Sequence, residues 1–194
     1  MPRGRWALAK APALFLDRDG VINKEKEYVH DRKDFEFIDG VFAACRQARA
    51  MGYKLVVISN QAGIARGYYS EADFHALNAW MLERFSEQGV VIDGVYFCPH
   101  HPTAGVGKYL SNCRCRKPEP GLILQAADEL DIDLAASAIV GDKLSDIEAG
   151  IRAGVGTCIL VRSGHPLDDG SVPNGVRVAI DLSDAVNYLR GTSG

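Results

Sequence analysis

The chain has 194 residues, of which 47% are hydrophobic and 24% are charged. This composition is typical of one ordinary globular domain, which we expect to span residues 1–194. Its 22 Lys and Arg face 25 Asp and Glu, a formal net charge of −3, which argues against broad nucleic-acid binding. No apolar stretch approaches the length of a membrane span.

The N-terminal segment predicts a cytoplasmic protein. Arg3, Arg5 and Lys10 lie among a few apolar residues and leave no room for the apolar core of a signal peptide. In that reducing compartment the five cysteines are not expected to form disulfides.

The first predicted strand ends in two aspartates. Four apolar residues, Ala13-Leu14-Phe15-Leu16, are typical of a buried strand in a parallel sheet. Asp17 follows at the strand end, and Asp19 lies on the turn that Gly20 allows. Ligands of open α/β sheets bind at this edge, so we expect both carboxylates to face the functional site.

Electrostatics limits what two such carboxylates can do. They cannot both stay ionised this close together unless a cation lies between them or one of them holds a proton. A hard divalent ion such as Mg²⁺ fits, with Asp17 as a nucleophile and Asp19 as a general acid. The alternative for an isolated Asp-x-Asp is a solvated turn, but three further segments argue against it.

The next two segments carry a hydroxyl and a lysine. Ser59 and Asn60 follow a second apolar run, and they could bind phosphoryl oxygens or merely form a turn or helix cap. Lys117 precedes Pro118, which keeps it out of helical geometry. Its ammonium could hold a phosphoryl group, or it could be a solvated lysine at a helix start.

The third segment repeats the pattern of an apolar strand ending in an acid. Asp142 follows Ala138–Gly141 and could complete a metal site begun by Asp17, with Lys143 beside it. Asp146 could ligate through water or could cap the helix that follows.

The whole chain alternates between strand and helix patterns. Helical spacing covers 41–51, 70–85, 122–130, 146–152 and a stretch from Ser183, and further strands are predicted at 94–97, 157–161 and 176–180. Such alternation predicts an α/β fold, a doubly wound parallel sheet with helices on both faces. The intervals between the motifs leave no room for a separate cap domain.

A cysteine cluster predicts a zinc-bound loop over about residues 98–115. Cys-x-His and Cys-x-Cys pairs supply three thiolates and one imidazole, a closed tetrahedral set for Zn²⁺: Cys98, His100, Cys113 and Cys115. Free thiols are the alternative, and His101 is a rival to His100. Cys45 and Cys158 fall within apolar patterns and are expected in the core. Because Arg116 and Lys117 follow Cys115 directly, zinc would fix where both cations enter the site.

The order Asp-x-Asp, Ser, Lys, Asp resembles the haloacid dehalogenase superfamily of phosphohydrolases. Within it, five stretches resemble the D-glycero-D-manno-heptose 1,7-bisphosphate 7-phosphatases, namely residues 17–23, 28–30, 59–67, 98–102 and 115–118. The resemblance runs from about Leu14 to about Val161. Ser59 departs from the threonine that many relatives carry, although the hydroxyl is retained.

This resemblance implies removal of the 7-phosphate through an aspartyl-phosphate intermediate, in the biosynthesis of nucleotide-activated heptose for lipopolysaccharide core or S-layer. It implies Asp17 as nucleophile, Asp19 as acid and base, and Ser59 and Lys117 as phosphoryl-stabilising groups. Mg²⁺ would be held by Asp17, by the backbone carbonyl of Asp19 and by Asp142, and the four Cys and His ligands would hold Zn²⁺. The expected substrate contacts are Glu25, Lys26, Glu27, Tyr28, Asn60, Gln61, Ala62, Arg116 and Lys143, although residues 25–28 could also be a solvated loop.

The partner is therefore expected to be a small phosphorylated sugar, and the protein a monomer with no nucleic-acid or membrane partner. Three alternatives stay open at this point. Histidinol-phosphate phosphatases share the aspartates and the zinc loop. A phosphoacceptor signalling domain uses Asp, hydroxyl and Lys around Mg²⁺, but leaves Asp19 and the cysteines without a task. The third is a zinc-based interaction module with a degenerate enzyme core.

Overall fold

The protein is built on one six-stranded parallel sheet. The structure, a computed structural model, describes residues 10–167 and 169–192, so Arg3 and Arg5 lie outside the described residues. The strands lie in the order β3-β2-β1-β4-β5-β6, with bounds β1 Ala13–Leu16, β2 Lys54–Asn60, β3 Gly94–Cys98, β4 Ala138–Gly141, β5 Thr157–Val161 and β6 Arg177–Ala179.

Helices cover both faces of this sheet, as predicted. The helices are α1 Val41–Ala50, α2 Ala62–Ala65, α3 Glu71–Glu87, α4 Gly121–Glu129, α5 Leu144–Ala153 and α6 Leu182–Thr192. Side chains alternate along β1, so that Leu14 and Leu16 pack in the core with α1, α3 and α6. Ala13 and Phe15 pack on the opposite face with α4 and α5. Both faces of β1 are buried, which explains its unbroken apolar sequence.

Local signals account for most of the element boundaries. Ser70 and Asp73 form the predicted capping box at the start of α3. The strand at 157–161 has the expected bounds, whereas β6 is shorter than the predicted 176–180. The short helix α2 and a 3₁₀ turn over Gly107–Tyr109 were not predicted, because single turns carry too few residues to show a period.

The carboxyl ends of three neighbouring strands bring the predicted motifs together. Leu16 at the end of β1 pairs with Val57 on one side and with Val140 on the other. The backbone N–H of Asp17 donates to the Val140 carbonyl at 3.0 Å. Asp17, Ser59 and Asp142 therefore lie side by side at the carboxyl edge of the sheet.

No cap domain interrupts this edge, as the motif spacing predicted. All residues from 20 to 40 are described, and they contain no helix and only isolated bridge pairs, which join Asn23 to Asp19 and to Phe37. In the part of the chain that the structure describes, no helix combines the length and the apolar character needed to cross a membrane.

Candidate active site

Asp17 is buried at the end of β1, with 6% of its surface exposed. Its Oδ1 accepts hydrogen bonds from the Arg18 N–H at 2.8 Å and from the Lys117 ammonium at 2.9 Å. The turn that follows needs a left-handed residue, which Gly20 supplies with φ +86°. The side chain is thus held where the strand ends.

Asp17 belongs to a cluster of three buried acids around one lysine. Carboxylate oxygens of Asp17, Asp142 and Asp146 all lie within 4.8 Å of one another. The Lys117 ammonium is 2.7 Å from Asp146 Oδ1 and also donates to the Ile58 carbonyl at 3.0 Å. Burial raises the pKa of Asp17 to about 8, although the Lys117 charge opposes this shift. One ammonium does not neutralise three carboxylates.

The donor set of this cluster fits Mg²⁺. Mg²⁺ prefers carboxylate and carbonyl oxygens, and a dication would supply the positive charge that the three acids lack. Asp142 is 3% exposed, and its Oδ1 accepts no hydrogen bond from any residue that the structure describes. A buried carboxylate oxygen without a hydrogen-bond donor is typical of a cation-binding site.

Asp19 lies beside Asp17 and is held by three donors. Its carboxylate accepts from the Arg18 guanidinium at 2.9 Å, from Asn23 Nδ2 at 3.0 Å and, more weakly, from Gln61 Nε2 at 3.4 Å. The Arg18 side chain is 1% exposed, lies near the faces of Phe35 and Phe74, and donates to the Val29 carbonyl at 2.6 Å. In this position the Asp19 carboxylate is paired with the Arg18 guanidinium.

Ser59 and Asn60 at the end of β2 hold their neighbours in place. Ser59 is buried and accepts from Gln61 Nε2 at 2.7 Å, while the Tyr69 hydroxyl donates to Gln61 Oε1 at 2.5 Å. The Asn60 side chain forms two hydrogen bonds of 3.0 Å with the backbone of Lys117. Asn60 therefore fixes the chain that carries Lys117.

A cavity of about 440 Å³ opens beside these groups and brings most of the predicted site residues together. The predicted residues that line it are Asp17, Asp19, Glu25, Glu27, Tyr28, Asn60, Gln61, Ala62, Arg116, Lys117 and Lys143. Ser59 and Asp142 are buried just behind the lining. Lys26 departs from the expectation, since its ammonium pairs with Glu36 at 3.1 Å and does not line the cavity.

The cavity also has lining residues to which no role was assigned from the sequence, namely Arg66, Tyr69, Ser145 and His165. Asp146, expected to ligate through water or to cap a helix, and His101, the rival zinc ligand, line it too. Asp146 both pairs with Lys117 and accepts from the Lys143 N–H at 3.0 Å, so its capping role is present together with an ion pair. His165 contacts Asp142 at 2.6 Å. Gly164-His165 follows β5 without any recognisable motif, so the sequence alone gave no signal for it.

The four residues of the predicted zinc loop converge. Cys98, His100, Cys113 and Cys115 place their ligand atoms within 4.8 Å of one another. The Sγ atoms of Cys98 and Cys113 are 3.4 Å apart, and His100 Nδ1 is 3.5 Å from Cys115 Sγ. Three thiols and one imidazole fit Zn²⁺. His101 is not in this cluster, because its Nδ1 accepts from the N–H groups of Thr103 and Ala104.

The cysteine loop is connected directly to the cavity. Arg116 follows Cys115, and its guanidinium donates to the His100 carbonyl at 3.1 Å. The remaining cysteines, Cys45 and Cys158, are buried in the core as expected.

Comparisons with known proteins agree with this geometry. A family model described as HAD-hydrolase-like matches residues 114–185. The chain is 51% identical over 178 residues to D-glycero-beta-D-manno-heptose-1,7-bisphosphate 7-phosphatase of Vibrio cholerae serotype O1, covering 92% of this chain and 96% of that protein. It is 53% identical over 156 residues to the Escherichia coli K12 protein of the same name, covering 80% and 82%.

Solved structures give the same result. The D,D-heptose 1,7-bisphosphate phosphatase from B. bronchiseptica, complexed with magnesium and phosphate, superposes with a TM-score of 0.83 at 32% identity, covering 93% of this chain and 99% of that one. A HAD-like phosphatase from Mesorhizobium loti gives a TM-score of 0.83 at 38% identity, covering 98% and 91%. The chain therefore belongs to the D-glycero-beta-D-manno-heptose-1,7-bisphosphate 7-phosphatase family of the haloacid dehalogenase superfamily.

Proposed function

We propose that this protein is a Mg²⁺-dependent phosphatase that removes the 7-phosphate of D-glycero-β-D-manno-heptose 1,7-bisphosphate. One observation carries the chemistry: the buried Asp17 carboxylate lines the cavity between the Lys117 ammonium and two further acids. The choice of substrate is supported by the relatives of about half-identical sequence, which carry that substrate in their names.

In the first step Asp17 is the nucleophile. A carboxylate oxygen of Asp17 attacks phosphorus, the bond between phosphorus and the sugar O7 breaks, and an aspartyl phosphate forms. Asp19 gives a proton to the departing O7, so the sugar leaves as an alcohol.

In the second step water attacks the phosphorus of the aspartyl phosphate. The bond from phosphorus to Asp17 breaks, inorganic phosphate is released, and Asp19 takes the proton of the water. The position of Asp19 in the cavity lining suits this role as base.

Lys117 and Ser59 are the proposed stabilising groups for the phosphoryl oxygens. Lys117 already lies 2.9 Å from the nucleophile, and Asn60 fixes its backbone. Ser59 donates from behind the lining, where Gln61 orients its hydroxyl. Mg²⁺, held by the carboxylates of Asp17 and Asp142 and by the Asp19 carbonyl, would offset the negative charge of the phosphoryl group.

The predicted substrate residues that line the cavity are the proposed contacts to the sugar and to its distal phosphate. Arg116 and Lys143 supply positive charge, and Asn60, Gln61 and Ala62 line the cavity beside the nucleophile. Lys143 also pairs with Glu25 at 3.5 Å, which links it to the loop of residues 25–28. Glu27 and Tyr28 in that loop adopt left-handed backbone angles of φ 50° and 55°, so the loop has a defined shape.

We further propose that Cys98, His100, Cys113 and Cys115 bind Zn²⁺. Burial raises the pKa of the Cys98 thiol, so its thiolate is unfavourable without a metal. Zinc would hold the segment that ends in Arg116 and Lys117 without taking part in the reaction.

The deciding experiment compares kcat/KM for the heptose 1,7-bisphosphate and for histidinol phosphate, with and without Mg²⁺. We expect the bisphosphate to be favoured by at least about 100-fold, and expect no turnover without the metal. Preference for histidinol phosphate would overturn the substrate assignment. If the protein turns over neither ester more than once, the phosphoacceptor domain and the zinc-based interaction module become the better explanations.

The nucleophile is tested with Asp17→Asn. Turnover should fall by at least about 1,000-fold, and no phosphoenzyme should be trapped after an acid quench. The matched control is Asp128→Asn, an exposed acid on α4 that lies away from the cavity. Substantial hydrolysis by Asp17→Asn would exclude the proposed nucleophile.

A further inference from the structure

The metal-ligand candidate Asp142 is held from one side by the short loop that follows β5. Its Oδ2 lies 2.6 Å from Nδ1 of His165. An ionised Asp142, the form that binds a metal ion, can only accept, so Nδ1 of His165 would then be the donor. This hydrogen bond is the only described contact that joins the loop to Asp142 through a polar side chain.

Two glycines complete the enclosure of the same oxygen. A Cβ atom added at Gly164 would lie 2.0 Å from Asp142 Oδ2, and one added at Gly20 would lie 2.3 Å from it. Neither position has space for a side chain. The loop is also tied to the nucleophile turn, because the Ser163 hydroxyl donates to the Gly20 carbonyl at 2.7 Å.

The other oxygen of Asp142 has the opposite environment. Oδ1 is buried, and no residue in the described part of the chain donates to it. The Asp142 side chain is thus asymmetric: Oδ2 is enclosed by the loop and by Gly20, whereas Oδ1 is buried without a donor among the described residues. Asp142 also places a carboxylate oxygen within 4.8 Å of Asp17 and Asp146.

We propose that His165 is a positioning residue for magnesium binding: its Nδ1–H orients Asp142 so that Oδ1 is presented to the ion. Groups that hydrogen-bond to metal-ligating side chains fix their orientation and raise the affinity for the metal. The inference rests on the proposed use of Mg²⁺ at Asp17 and Asp142, and it assigns His165 neither contact with the ion nor proton transfer.

A second metal site at the same place is the competing explanation. Glu25, Asp142 and His165 have potential ligand atoms within 4.8 Å of one another. However, Oδ2 of Asp142 is already occupied by His165 and enclosed by the two glycines, and the Lys143 ammonium lies 3.5 Å from Glu25. A cation there would have to displace a hydrogen bond and would face a positive charge, so orientation of Asp142 is the better explanation.

The test titrates Mg²⁺ into the full-length, zinc-loaded and Mg²⁺-free protein by isothermal titration calorimetry. His165→Ala should raise the Kd for Mg²⁺ by about 10- to 100-fold. The informative pair is His165→Asn, whose amide N–H takes the place of Nδ1–H, and His165→Gln, whose amide extends toward the position of Nε2. Asn should keep the Kd within about threefold of the wild-type value, whereas Gln should behave like Ala.

Steady-state kinetics gives a readout that a general structural defect would not reproduce. In His165→Ala the Mg²⁺ concentration for half-maximal activity should rise with the Kd, while kcat at saturating Mg²⁺ and KM for the phosphate ester stay within about threefold. His75→Ala, an exposed histidine on α3, is the matched control and should leave the Kd unchanged.

The outcomes separate the two levels of inference. If the wild-type protein binds Mg²⁺ and His165→Ala binds it equally well, or if Asn is as weak as Gln, the positioning role is wrong while the proposed function stands. If the wild-type protein itself does not bind Mg²⁺, the proposed metal-dependent function fails.

Discussion

The ammonium of Lys117 lies 2.9 Å from Asp17 and 2.7 Å from Asp146, with only 2% of the lysine side chain exposed. Removal of one member of a buried ionic group leaves the others without compensation. Lys117→Met should therefore reduce the free energy of unfolding by about 3–5 kcal/mol near pH 7.5 in Mg²⁺-free buffer. Urea unfolding measures this change.

The same variant should lose less stability at pH 5. Without the lysine charge, the buried acids hold protons more strongly in the folded protein than in the unfolded chain, so acidification stabilises the fold. The control is Lys108→Met, an exposed lysine near Glu71, which should change stability by less than about 0.5 kcal/mol. Equal losses at both pH values would contradict this explanation.

Magnesium binding should release a proton below about pH 8. Burial raises the pKa of Asp17 to about 8 when no metal is bound, so protons compete with Mg²⁺ for this carboxyl as the pH falls below 8. A metal ligand must be ionised, and the apparent affinity for Mg²⁺ should therefore fall by up to about tenfold for each pH unit from 8 down to 6.

Calorimetry in buffers of different ionisation enthalpy measures this proton release directly. The wild-type protein at pH 9 is the control, because Asp17 is then ionised before the metal binds. A Kd for Mg²⁺ that does not change between pH 6 and 8 would refute the coupling.

The same pKa shift affects folding stability. In the Mg²⁺-free protein the Asp17 carboxyl holds a proton that the unfolded chain has lost, so its contribution to stability declines as the pH rises from about 4 to about 8.

Zinc removal should impair catalysis while leaving magnesium binding intact. Arg116 directly follows Cys115 and donates to the His100 carbonyl, so loss of the metal should displace Arg116 most, whereas Asn60 still holds the backbone of Lys117. Cys113→Ser should lower kcat/KM for the heptose bisphosphate by about 10- to 100-fold without changing the Kd for Mg²⁺. Cys158→Ala, a core cysteine, is the control, and a fully active zinc-free protein would disprove the link.

The sequence predicted the sheet and the groups at strand ends because each signal was local. An apolar run followed by Asp, or a Cys-x-Cys pair, places a side chain relative to its own strand or loop. The order of the strands then brings Asp17, Ser59 and Asp142 together without further information. The absence of a cap domain followed in the same way from the short interval between Asp19 and Ser59.

What could not be predicted were contacts that depend on the direction of a side chain in a loop. Lys26 pairs with Glu36 and does not line the cavity, although its neighbours Glu25 and Glu27 do. Asp146 forms an ion pair with Lys117, which comes from a segment 29 residues earlier in the chain. Arg18 is buried against two aromatic rings although it stands between two acids. None of these directions follows from composition or periodicity.

The position of β1 inside the sheet, with two strands on one side and three on the other, has a consequence for local fluctuations. Hydrogen exchange usually proceeds through partial opening at the margins of a sheet, and central strands exchange only when the whole domain unfolds. The peripheral strands β3 and β6 can therefore fray while the backbone that carries Asp17 keeps its amide protection. The proposed nucleophile, Asp17, is therefore carried by the part of the sheet that we expect to open least often.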